Sequence, residues 1–215
     1  MKALEVTIID YGVGNLLSVR RGLEHCGAKV ILTADPEEIL KANRIVLPGV
    51  GAFSNAMEAL NNLDLISVIN EVAKKGTPLL GICLGMQLML EESEEFGITE
   101  GLGLIPGRVV PVPNQTSLGY MQKIPHIGWS KLYPSKSLST WEKGLLQDTD
   151  PGESVYFVHS YMAVSTNPIN RIAHCLYGGH EVAAVICDKN IIGCQFHPEK
   201  SGEVGLKILR RFLLG

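Results

Sequence analysis

Cys83 stands inside Gly81-Ile82-Cys83-Leu84-Gly85, where an apolar run gives way to helix-forming residues. A thiol between two glycines at a strand-to-helix junction matches the Gly-x-nucleophile-x-Gly pattern of a nucleophile elbow, whose tight turn holds the side chain out. The amide of Leu84 would face the same space as the sulfur, and the N-terminus of the following helix favours a thiolate there. The bland alternative is packing, since free cysteine is among the most buried residue types. Cys26, Cys175, Cys187 and Cys194 lack such a setting and read as core filler.

A nucleophile needs a base, and a base needs an orienting partner. The stretch Gln195-Phe196-His197-Pro198-Glu199 offers both. In an extended segment, which Pro198 helps to hold, His197 and Glu199 project from one face. Glu199 then accepts from one imidazole nitrogen while the other faces the sulfur. A plain exposed loop is the alternative there. The other histidines compete poorly: His25 ends a helix, His180 sits in a Gly-Gly-His turn, and neither His126 nor His174 has an acid at strand spacing. No pair has metal-ligand spacing, so neither metal nor cofactor is expected. Pro48-Gly49-Val50-Gly51 ends another strand; an amide of Val50 or Gly51 could donate a second hydrogen bond to an oxyanion, unless the stretch is only a turn before a helix.

These groups need a frame, and the chain supplies one. The pattern predicts strands at Val6–Asp10, Lys29–Leu32, Arg44–Leu47 and Leu79–Ile82. Between them fall helical patterns at Asn15–His25, with Leu16, Leu17, Val19 and Leu23 inward, then after Asp35-Pro36, then over 52–61 and 64–74. Apolar strands alternating with amphipathic helices imply a doubly wound, mostly parallel sheet with helices on both faces. Residues 104–135 read as short strands and turns and 135–153 as a surface loop with a short helix. Strands at 155–164, 171–176, 182–187 and 191–196, then a helix over Glu203–Leu214, complete a mixed, partly antiparallel second half. One α/β domain, residues 1–215, is expected, because no composition break divides the chain.

The totals agree. Of 215 residues, 46% are hydrophobic and 19% charged, a globular mix, and the net charge of −3 argues against a nucleic-acid or anionic-membrane surface. No apolar run approaches the ~20 residues of a membrane helix, an acid interrupts any signal-like N-terminus, and five cysteines without a Cys-x-x-Cys pair fit a reducing compartment. The cytoplasm is expected.

Gly-x-Cys-x-Gly-x-Gln followed by Gln-Phe-His-Pro-Glu resembles the signature of the triad-type, class I glutamine amidotransferases, and the likeness spans nearly the whole chain. The resemblance implies hydrolysis of L-glutamine to glutamate and ammonia, with Cys83 attacking the side-chain amide, His197 shuttling the proton and Glu199 orienting His197. It places Gln87, Ser160 and Tyr161 against the substrate. Asp10 to Leu16, Leu47 to Gly51, His126-Ile127-Gly128-Trp129 and Tyr156 to Tyr161 resemble the branch of the family that serves histidine biosynthesis. There the partner is a (β/α)₈ cyclase, bound as a heterodimer, which uses the ammonia to make imidazole glycerol phosphate and an aminoimidazole carboxamide ribotide. Asn15, Trp129, Tyr156 and Lys200 match positions facing that cyclase. The branch usually carries Asn after Gly-Trp, whereas Ser130 stands here, and related subunits feed ammonia to sugar amidation in surface-polysaccharide synthesis. A different cysteine hydrolase would share the elbow but not the other stretches. A dinucleotide site at Gly12-Val13-Gly14 lacks its third glycine, where Leu17 falls.

Overall fold

The computed structural model describes residues 4–135, 140–141 and 144–215. Its first half alternates as the pattern predicts: β1 (Leu4–Ile9), α1 (Leu16–His25), β2 (Ala28–Thr33), α2 (Pro36–Leu40), β3 (Ile45–Gly49), α3 (Phe53–Asn62), α4 (Leu65–Lys74), β4 (Leu79–Cys83) and α5 (Leu84–Leu88). Short strands follow, β5 (Glu92–Ser93), β6 (Thr99–Glu100), β7 (Gly107–Pro111), β8 (His126–Lys131) and β9 (Tyr133–Pro134). Then come β10 (Ser154–His159), β11 (Tyr161–Ser165), β12 (Arg171–Tyr177), β13 (His180–Asp188), β14 (Ile191–Cys194) and α6 (Gly202–Leu214).

The main sheet runs β2-β1-β3-β4-β14-β13-β12-β9. Its pairings are parallel from β2 to β14 and antiparallel from β14 to β9. Alternation along the strands builds two cores. Val6 and Ile8, Val46, and Leu80 and Ile82 pack on one face with α1 and α6; Ile9, Ile45 and Leu47, and Leu79 pack on the other with α3 and α4. Each such side chain, fully buried, is worth ~1.5–3 kcal/mol, so a strand buried on both faces must read as an unbroken apolar run. Two smaller sheets, β10-β8 and β11-β7-β5-β6, complete the fold.

Three expectations need correction. Leu17 is 57% exposed, because successive helical residues turn by about 100° and Leu16 already takes the inward side. The run 155–164 is two strands that belong to different sheets and meet at Ser160. The stretch 135–153 is not simply a surface loop: Trp141, Leu145 and Leu146 are buried in the first core, while 136–139 and 142–143 lie outside the described residues. No helix among the described residues is long and apolar enough to cross a membrane.

Candidate active site

Strands β4 and β14 lie side by side in parallel, with Ile82 opposite Cys194. Their carboxyl ends therefore coincide, and the chain leaves one into Cys83 and the other toward His197. That edge is where a doubly wound sheet collects its ligands.

Cys83 has φ 55° and ψ −110°, a left-handed backbone that a side chain rarely adopts. The strain of the elbow is thus carried by the candidate nucleophile itself, at ~1–3 kcal/mol. Its flanking glycines serve close approach. A methyl on Gly81 would lie 2.6 Å from the Gly85 carbonyl oxygen, and one on Gly85 would lie 1.8 Å from that of Leu47. The sulfur sits 3.8 Å from the Val158 carbonyl oxygen and 3.8 Å from Gln195 Nε2.

His197 Nδ1 is 2.8 Å from Glu199 Oε1, with the two side chains 3% and 0% exposed. The segment is not extended throughout, as expected from Pro198. His197 is extended, but Pro198–Lys200 form a single 3-10 turn, which the fixed φ of a proline at its start favours. That turn brings the carboxylate back onto the imidazole it follows. Ser201 secures the turn: its hydroxyl donates to the His197 carbonyl at 2.6 Å and accepts the Tyr156 amide at 3.0 Å.

With Nδ1 committed to Glu199, the buried Nε2 makes no well-formed hydrogen bond of its own, yet Cys83 is near enough to act on it. Burial alone would lower the His197 pKa; the interactions with Cys83 and Glu199 outweigh it and raise the pKa from 6.5 to about 9. The imidazolium is therefore the favoured form at neutral pH. Because the folded value lies above the unfolded one, its stabilisation is complete below 6.5 and is lost as pH rises through about 9. Activity that needs this proton is expected to fall on an alkaline limb centred near 9, and Glu199→Gln to move the limb down. A pH–rate profile checks it; a wild-type limb already complete at pH 7, or one unmoved by Glu199→Gln, would contradict the assignment.

Cys83 and His197 share the wall of one cavity of about 290 Å³. Leu84, Val50 and Gly51 line it, as do Gln87, Ser160 and Tyr161, so the expected oxyanion and substrate residues converge. At the small end of the size range of ligand pockets, it suits an amino acid. Two groups that the sequence reading missed also belong here. Glu95 lines the cavity and accepts the first amide of α3 (Phe53 N) at 2.6 Å on Oε2. It stands in a run of acids, and nothing in the run singles it out. Tyr11, 2% exposed, donates to the Pro48 carbonyl at 2.7 Å; burial first, and Cys83 second, push its pKa upward, so it stays a neutral donor. It pins Pro48, while Gly51 holds φ 97° and a Cβ there would meet nothing within 4 Å.

The residues expected to face a partner lie around this edge. Trp129 is 59% exposed and meets Tyr156 edge to face across the β8–β10 register, ring centroids 6.0 Å apart. The Tyr156 carbonyl accepts the His197 amide at 2.9 Å, so this pair is joined to the backbone that carries His197. Lys200 is exposed at the cavity rim, and half-buried Asn15 caps α1 through the Ser18 amide at 3.4 Å.

Residues 7–215 match the family profile described as glutamine amidotransferase class-I. A Legionella pneumophila (strain Lens) protein named imidazole glycerol phosphate synthase subunit HisH 1 is 54% identical over 97% of this chain and 98% of its own. The subunit HisH of Geobacillus sp. (strain WCH70) is 48% identical over 96% and 95%. A solved structure titled as a glutamine amidotransferase superposes with a TM-score of 0.71 over 97% of each chain at 14% identity, a likeness of fold.

Proposed function

Because the chain belongs to the class I glutamine amidotransferase family, we propose that it is the glutaminase subunit of an imidazole glycerol phosphate synthase, hydrolysing L-glutamine and passing ammonia to a cyclase. The observation that carries this is His197 held by Glu199 on one nitrogen, with Cys83 against its other edge inside a single small cavity.

The Cys83 sulfur, its proton already resting on His197, adds to the carboxamide carbon. As the C–N bond breaks, His197 returns that proton to the departing nitrogen and ammonia leaves. Water then adds to the thioester with His197 as base, the C–S bond breaks, and glutamate departs from a restored thiol. Amides of Leu84 and of Val50 or Gly51 are suited to the oxyanion; one such donor is worth ~3–4 kcal/mol of barrier. Gln87, Ser160 and Tyr161 hold the substrate, and Glu95 is suited to its α-ammonium.

Ammonia released into water at neutral pH is protonated and no longer a nucleophile, so a docked acceptor enzyme is the physical requirement. A (β/α)₈ cyclase meeting Asn15, Trp129, Tyr156 and Lys200 fills that role as a heterodimer. Names of relatives at 44–54% identity favour the histidine pathway over sugar amidation. A reducing, cytoplasmic setting fits five free thiols. With Pro48 pinned by Tyr11 and Gly51 at a φ of 97° that glycine favours, the Val50 peptide is proposed to turn into the oxyanion hole only when the partner docks.

The test is glutamine hydrolysis by the chain alone, with the cyclase, and with cyclase plus ribonucleotide substrate. Slow turnover alone and a large rise in the complete complex are expected, with Glu95→Gln raising KM about tenfold. Full turnover by the isolated chain would refute the gating, and no response to the ribonucleotide would refute the pathway.

A further inference from the structure

Behind the cavity runs a chain of hydrogen bonds that ends at the nucleophile. Register places His126 opposite His159, and His126 Nδ1 is 3.0 Å from His159 Nε2. Outward, His126 Nε2 is 2.9 Å from Ser130 Oγ on β8, next to Trp129. Inward, His159 Nδ1 is 2.8 Å from the Tyr161 carbonyl oxygen. That same oxygen receives Gln87 Nε2 at 3.0 Å, Gln87 Nε2 also reaches Gln195 Oε1 at 2.9 Å, and Gln195 Nε2 lies 3.8 Å from the Cys83 sulfur.

One group sets the polarity of the whole chain. A backbone carbonyl can only accept. The neighbouring Ser160 carbonyl is taken by Val112 N across the β7–β11 ladder, so alternation turns that of Tyr161 away from the ladder. His159 must then carry its proton on Nδ1 and accept at Nε2; His126 must donate from Nδ1 and accept from the Ser130 hydroxyl. Both imidazoles are neutral: burial lowers the pKa of His126 to about 4, and burial, against the pull of the Tyr161 carbonyl, lowers that of His159 to about 3. On the other side, both Nε2 protons of Gln87 are spent, so Oε1 is the amide atom left for a ligand in the cavity that Gln87 lines. Gln195, accepting at Oε1, must present its N–H to the sulfur.

We infer that His159 and His126 are positioning residues of the glutamine site, acting through the Tyr161 carbonyl to orient Gln87 toward substrate, and that Gln195 is a further catalytic residue that donates to the Cys83 sulfur. The substrate part rests on the glutaminase reading; the sulfur part does not.

The experiment compares His159→Phe, His159→Asn and Gln195→Glu in the complex with the cyclase. Asparagine keeps a donor where Nδ1 stands and loses ring volume; phenylalanine fills the space and loses the donor. Glutamate keeps the acceptor for Gln87 and loses the donor to sulfur. His159→Phe is expected to raise KM for glutamine about tenfold without a matching fall in thermal midpoint, while His159→Asn stays within about threefold. Gln195→Glu is expected to slow iodoacetamide alkylation of Cys83 in the folded complex without glutamine, read from the label on the Cys83 peptide after digestion, about tenfold. Losses that track thermal midpoint, with asparagine worse than phenylalanine, would overturn the positioning role. Alkylation of Gln195→Glu at the wild-type rate would overturn the donor. Should His159→Phe not fold, His159→Asn with a raised KM at an unchanged midpoint would equally overturn it. If wild-type complex hydrolyses no glutamine, the glutaminase reading fails while the alkylation result still decides the donor.

Discussion

Cys83→Ala is expected to abolish ammonia release, by about 10⁴-fold or more, because no other group at the cavity can form the thioester. The fold should survive, since a methyl fits wherever the Cys83 Cβ already sits. Cys83→Gly should be equally inactive but more stable than the alanine variant. Alanine keeps the cost of φ 55°, ψ −110°, at ~1–3 kcal/mol. Glycine removes that cost and gives back only ~0.5–1 kcal/mol in unfolded-chain entropy. Denaturant midpoints of the two variants check the ordering, and glutamate release checks the activity. An alanine variant with substantial turnover would remove Cys83 from the mechanism, and a glycine variant less stable than alanine would show that the elbow stores no strain.

Gly85→Ala is expected to cost about 4 kcal/mol or more, a large part of the ~5–15 kcal/mol that holds a domain together. The new methyl would lie 1.8 Å from the Leu47 carbonyl oxygen and 2.8 Å from its carbon, both backbone atoms of a central strand that cannot step aside. Gly27→Ala is the control. A methyl there meets nothing within 4 Å, and only the φ of 89° opposes it, at ~1–2 kcal/mol. Urea unfolding of both variants separates the two costs. A Gly85→Ala protein within 1 kcal/mol of wild type would mean that α5 and β3 are not packed backbone to backbone.

How far the site was legible depended on the range of the information. Asp35 and Pro36 announce α2 because a cap and a first-turn proline act on adjacent amides. Leu79 to Cys83 announces a central strand because burial on both faces tolerates only apolar residues. Glu199 was legible as the partner of His197 but for the wrong local reason, since a turn rather than an extended strand joins them. Glu95 and Gln195 were opaque: an acid among acids and an amide beside a phenylalanine carry no local mark, and their roles come from what lies across the cavity.

Residue types and their periodicity were enough to single out a candidate nucleophile, base and orienting acid and a parallel sheet to carry them. These depend on covalent neighbours and on strand and helix repeats, which any stretch of sequence displays. The meeting of Cys83 with His197 was decided by β14 lying parallel to β4, a pairing across more than a hundred residues. The neutral His126–His159 pair was decided in the same way, by the register of β8 against β10. Such pairings are selected by the packing of the whole core, and the direction of every proton along the chain to the sulfur follows from them.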